Sequence, residues 1–114
     1  MVDNNIPSEY FYYIEEKILL FISNYKVNTE FMRECVSRFV TQDPAAEFPE
    51  GLNLIGRWHA AGDTWGVIIT ETDNASLITE WALKWSDVCE ISTVPALDDE
   101  GIGPVAHAWV QTLT

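Results

Sequence analysis

The segment ILLFISNYKV, residues 18–27, carries apolar side chains on both faces of an extended strand. Successive side chains alternate, so Ile18, Leu20 and Ile22 point one way and Leu19, Phe21 and Tyr25 the other. A strand apolar on both sides is expected at the centre of a sheet that is covered twice. Downstream, Asn28 and Thr29 offer N-cap oxygens. Phe31, Met32, Cys35, Val36, Phe39 and Val40 then recur at helical spacing, with Glu34 and Arg38 paired on the wet side. Pro44 closes that helix, and the acidic stretch to Gly51 reads as a loop.

Leu52 to Ala60 alternates as a second strand, with Leu54 and Trp58 on one face and Ile55, Arg57 and His59 on the other. Gly62-Asp63 is a hairpin turn, and Trp65 to Thr72 returns as a strand rich in β-branched residues. Asp73 or Asn74 caps a second helix, whose Leu77, Ile78, Trp81, Ala82, Trp85 and Val88 make one apolar stripe with Glu80 and Lys84 outside. Cys89 to Ala96 is a last strand, and Pro95 suits an edge or a strand end. The order strand, helix, strand, strand, helix, strand predicts an α+β, ferredoxin-like βαββαβ domain over residues 18–97, with both helices on one face of an antiparallel sheet.

Two segments flank that unit. Residues 1–17 include Tyr10-Phe11-Tyr12-Tyr13-Ile14, too aromatic for a solvated tail. Residues 98–114 begin acidic, and Pro104 is expected to open a short helix using Val105, Ala108 and Trp109. With 114 residues and 12.9 kDa there is one core and no third layer. The doubly apolar first strand therefore predicts a homodimer, with two sheets face to face in a dimeric α/β barrel.

Composition narrows function. Hydrophobic residues at 47 % exclude a disordered chain, and a net charge of −12 with a pI near 4.2 excludes nucleic acid and anionic membranes as main partners. The apolar run from Ile18 to Ile22 is far shorter than the roughly 20 residues of a membrane span. No basic segment precedes it as in a secretion signal, so the cytoplasm is the expected compartment. Cys35 and Cys89, both beside valines, read as small hydrophobes rather than a disulfide framework.

Several phrases are recognisable together: Gly56-Arg57-Trp58-His59, Glu71-Thr72-Asp73, Glu80-Trp81, Trp85-Ser86-Asp87, Val94-Pro95 and Leu97-Asp98-Asp99-Glu100. Over roughly residues 18–100 the chain resembles an uncharacterised bacterial family of the dimeric α/β-barrel superfamily. The resemblance implies the same ferredoxin-like dimer and no assigned activity. Better-known members of that superfamily include cofactor-free monooxygenases, haem-degrading enzymes, chlorite-dismutase-like proteins and stress-responsive barrels. Their catalytic residues do not map onto this chain by motif, and none is carried over.

Arg57 and His59, two apart on a strand, share a face. In a dry barrel they would hold a carboxylate or enolate, with Arg57 clamping and His59 exchanging a proton. The plainer alternative pairs Arg57 with an acid across the dimer and leaves His59 at a wet rim. Glu71 is a candidate general base or partner of Arg57, and otherwise an ordinary strand-end acid. Trp65, beside the turn, is a candidate cap over a cavity or interface, whereas Trp58, Trp81 and Trp85 read as core.

His59 and His107 are the only histidines, and no ligand spacing for zinc, iron or calcium occurs, so neither metal nor cofactor is expected. Phosphate loops and a Gly-x-Ser-x-Gly elbow are missing. Three functions fit these residues. The first is a homodimeric barrel binding a small organic molecule between the sheets. The second is a cofactor-independent oxygenase or isomerase using His59 as base and Arg57 at the oxyanion. The third is a non-catalytic oligomerisation module, for which Leu83, opposite the second helix's apolar stripe, marks a contact surface.

Overall fold

A computed structural model describes residues 18–113. Strand β1 (Leu19–Lys26) leads through a 3-10 turn (Thr29–Phe31) into helix α1 (Met32–Thr41) and a one-turn helix α2 (Pro44–Glu47). Strands β2 (Asn53–His59) and β3 (Trp65–Thr72), helix α3 (Ser76–Trp85), strand β4 (Glu90–Ala96) and helix α4 (Asp99–Gln111) follow. The sheet runs β2-β3-β1-β4, antiparallel at every pairing. That is the ferredoxin-like α+β arrangement, with β1 inside and the Pro95-bearing β4 at an edge.

Register assigns each strand residue to a face. Toward the helices, four rows cross the sheet from β4 to β2. They are Ile91–Tyr25–Gly66–His59, then Thr93–Ser23–Ile68–Arg57, then Pro95–Phe21–Thr70–Leu54, with Leu19–Thr72 at the end. The opposite face carries Ser92–Asn24–Val67–Trp58, Val94–Ile22–Ile69–Gly56 and Ala96–Leu20–Glu71–Asn53. The core is on the helix side, where Phe21, Leu52, Ile68, Ile78, Trp81, Trp85 and Val88 form one buried cluster.

Four local expectations need correction. The register of β2 shifts between Leu54 and Gly56, and this extra residue reverses the alternation, so Leu54 and Trp58 fall on opposite faces. Trp58 is 60 % exposed rather than core. The stretch after Pro44 holds a helical turn instead of a plain loop. There the Asp43 carboxylate accepts the Ala45 N–H at 3.0 Å, and Pro44 sits where its missing N–H costs nothing. The last helix starts at Asp99, not Pro104, because the Asp98 side chain caps Gly101 N at 2.8 Å. The aromatic 1–17 segment lies outside the described residues.

Helix α3 buries Ile78, Trp81 and Trp85 as its spacing predicts, and Leu83 is 65 % exposed. Helix α1 buries none of its residues. Arg38 ties it to the end of α3. The guanidinium donates to both Asp87 carboxylate oxygens at 3.0 and 2.7 Å and to the Lys84 carbonyl at 3.0 Å, and it lies 5.4 Å from the Trp85 ring. Glu34 adds a 3.4 Å contact from one turn earlier. Held at that end, α1 stands away from the sheet, and the space beneath it is a pocket.

Candidate functional site

The pocket has a volume of about 290 Å³. Met32, Cys35, Val36 and Phe39 of α1 form its roof, and Tyr25, Ile68, Arg57, His59 and Ile91 of the sheet its floor. Trp81 and Trp85 wall one side, while Asp63 and Thr64 of the β2–β3 hairpin reach the rim. Gly62 makes that hairpin possible at φ 82°. An apolar cavity of about 150 Å³ takes a benzene ring, so this one admits a substituted ring or two fused rings.

Two polar groupings break the apolar lining. The first comes from the row Tyr25–Gly66–His59. Gly66 separates the two rings across the sheet, and a Cβ there would strike Tyr25 Cε2 and the Trp58 carbonyl. With no side chain between them the rings lean together edge to face at 5.7 Å, and Tyr25 Oη lies 2.5 Å from His59 Nδ1. Burial first, and then the neighbouring Cys35, push the Tyr25 pKa up, so the phenol keeps its proton at neutral pH. The pair joins in either of two ways: with Nδ1 bare the phenol donates to it and the ring's own proton sits on Nε2, and with Nδ1–H the phenol oxygen accepts. Phe39 contacts the same imidazole edge to face at 5.6 Å.

The second grouping centres on Glu47, which the α2 turn delivers to the interior at 4 % exposure. Its carboxylate accepts from Arg57 Nη1 at 2.7 Å, Trp81 Nε1 at 3.2 Å and Gln42 Nε2 at 2.9 Å. Arg57 also lies 4.9 Å from the Phe39 ring and 5.6 Å from the Phe48 ring. Charge is thus balanced within the wall. A ligand carboxylate would have to share Arg57 with Glu47, and like charges at close range in a dry site repel strongly. A neutral ligand with a hydrogen-bonding group suits the pocket better than an anion.

Cys35 and Cys89 both line the cavity as free thiols. Burial pushes the Cys89 pKa up to about 12 and raises that of Cys35. Protonated, they act as soft apolar wall rather than nucleophiles.

Among the four residues that sequence singled out, Arg57 and His59 come together in this pocket. Trp65 and Glu71 occupy the other face of the sheet, and the acid that meets Arg57 is Glu47. The cavity lies between sheet and helix within one protomer, not between two sheets. Sequence reasoning missed Tyr25, Glu47, Phe39 and Gly66 as site residues. Two signals pointed to them: a glycine inside a β-branched strand, and Asp43-Pro44, a helix-start signature that turns the following acid inward. Among the described residues no group of three or more His, Cys, Asp or Glu converges to hold a metal, and no helix is long and apolar enough to cross a membrane.

A family model described as "Domain of unknown function (DUF3303)" matches residues 19–110. No functionally curated protein matches the chain. One similar solved structure is an uncharacterized NIPSNAP-like domain protein from Burkholderia xenovorans, at 13 % identity and a TM-score of 0.48, covering 71 % of this chain and 84 % of that one. Another is the de novo designed protein Foldit4, at 11 % identity and a TM-score of 0.37, covering 71 % of this chain and 97 % of that one. The chain belongs to the DUF3303 family.

Proposed function

We propose that this member of the DUF3303 family binds a small, flat, neutral organic molecule in the pocket under α1. The observation that carries this reading is the meeting of the Tyr25–His59 pair with a self-neutralised Arg57–Glu47 pair on an otherwise apolar lining. The apolar walls supply affinity, and the Tyr25–His59 pair orients one polar group of the ligand. A titration with 2-naphthol, followed by amide and methyl NMR shifts, tests it. Movement at Met32, Val36 and His59, abolished by the pocket-filling Cys35→Phe, is expected. Shifts confined to Trp58, Trp65 and Val94, or no shift at millimolar probe, would refute the reading.

We propose separately that the protein is a homodimer. Leu20, Ile22, Val67 and Ile69 lie together on the face without helices, beside Val94 at 54 %, Trp58 at 60 % and Trp65 at 49 % exposure. A run of neighbouring apolar residues on an exposed sheet face is the kind of surface that a protein interface covers. Sedimentation equilibrium of the full chain should give twice the protomer mass at micromolar concentration. A protomer mass across the whole range would refute the dimer and leave the pocket reading standing.

A further inference from the structure

Helix α4 presents a physical problem that the described residues of the protomer do not solve. It is 13 residues long and contains Gly101, Gly103 and, inside the helix, Pro104. Each interior glycine costs about 1 kcal/mol and an interior proline about 3 kcal/mol relative to alanine, and even alanine-rich helices of this length are marginal alone in water. The Asp98 cap and the first-turn acids Asp99 and Glu100 offset only part of that. The helix therefore needs packing. Yet every residue from Leu97 to Leu113 is exposed.

Its surface is arranged for such packing. Ile102, Val105, Ala106, Trp109 and Leu113 follow one another at helical spacing as a single apolar stripe. The four large ones are 50 to 64 % exposed. His107 and Gln111, hydrogen-bonded to each other at 3.0 Å, lie on the opposite side.

We infer that α4 is an exchanged arm whose Ile102–Val105–Trp109 stripe packs on a second copy of this chain. The inference rests on the homodimer reading above. Area favours a second copy as the occupant. A sheet of four strands, seven residues long in its edge strands, presents on the order of 450 Å² at ordinary strand spacings. Two such faces bury roughly 900 Å², short of the roughly 1,200–2,000 Å² of a stable interface. Two arms, each about 20 Å long and about 10 Å wide, add about 400 Å² of their own surface and as much of the surface they cover, for a total of roughly 1,700 Å². Connectivity agrees, because only Leu97 and Asp98 separate α4 from β4, so the arm leaves from the margin of the apolar face. A two-fold axis along the strands sets the β4 margin of each copy over the β2 margin of the other. That places α4 beside the exposed Trp58 of the second copy.

The test uses the full chain and three measurements. Val105→Asp with Trp109→Asp should weaken the dimer at least 100-fold in sedimentation equilibrium, with loss of helical circular dichroism, whereas His107→Ala should not. In a sample mixing isotope-labelled and unlabelled copies, filtered NOEs should connect Val105 methyls of one copy to the Trp58 ring of the other. An α4 variant that dimerises as tightly as the parent overturns the arm and leaves the sheet-face dimer intact. NOEs from Val105 only within one copy overturn the exchange in favour of docking on the arm's own protomer. A monomeric parent chain overturns both arm and dimer.

Discussion

Both faces of this sheet mix polar with apolar residues, but the mixture differs between them. Under the helices, Ser23, Thr70 and Thr72 are buried, Ser23 bonds Thr93 at 2.7 Å, and Tyr25, His59 and Arg57 line a cavity. The face without helices carries Leu20, Ile22, Val67, Ile69, Trp58, Trp65 and Val94. An interior made only to hold the fold together would be cheaper as hydrocarbon, since buried polar groups contribute little net stability even when paired. In the proposed function the helix side receives a molecule and a second copy covers the open side. The same β1 supplies both, because alternate residues of one strand serve two different surfaces.

The largest effect expected on the helix side is from Glu47→Ala. It strands Arg57 in the wall and should cost about 3–5 kcal/mol in urea unfolding. Replacing both partners, Glu47→Met with Arg57→Met, should recover most of that loss. A double variant as unstable as the single one would mean the pair is structural support rather than a balanced lining.

Next is thiol chemistry. The Cys89 pKa near 12 against an ordinary value of 9.0 leaves a thiolate fraction on the order of 1,000-fold below that of a free thiol at neutral pH. Iodoacetamide labelling of Cys89, read by mass spectrometry, should be slower by about that factor and still be rising at pH 11. Labelling at the free-thiol rate would show that the pocket wall is wet.

Thr70→Val works in the opposite direction. Among the described residues Thr70 Oγ1 is the one buried side-chain polar atom without a partner, so the isosteric valine should stabilise the fold by about 1 kcal/mol. Destabilisation would place a hydrogen-bonding molecule at that hydroxyl. The smallest effect belongs to the open face. At the lowest usable concentration, Trp58→Ser should change protomer stability by no more than about 0.5 kcal/mol. It should also remove the concentration dependence of unfolding that a dimer imposes.

The fold was legible because period-2 and period-3.6 patterns follow from backbone geometry alone, and ILLFISNYKV has only one comfortable position, the middle of a sheet. Arg57 and His59 were legible as neighbours for the same reason. Trp58 was misplaced because a one-residue bulge leaves no mark in composition yet reverses every side chain beyond it. Glu47 and Tyr25 were missed because their partners are 10 and 34 residues away in sequence. No local pattern encodes a contact of that kind.

Sequence by itself determined the element order, the central place of β1, the α3 stripe of Ile78, Trp81 and Trp85, and an apolar surplus on the sheet. These depend on local dihedral periodicity and on how much greasy surface a short chain must hide. Only the tertiary structure decided which side of the sheet holds the Arg57–His59 pair, that Glu47 neutralises it, and that α1 stands off far enough to leave a cavity. Those depend on strand register and on the distance between layers, which are set by contacts between residues far apart in the chain.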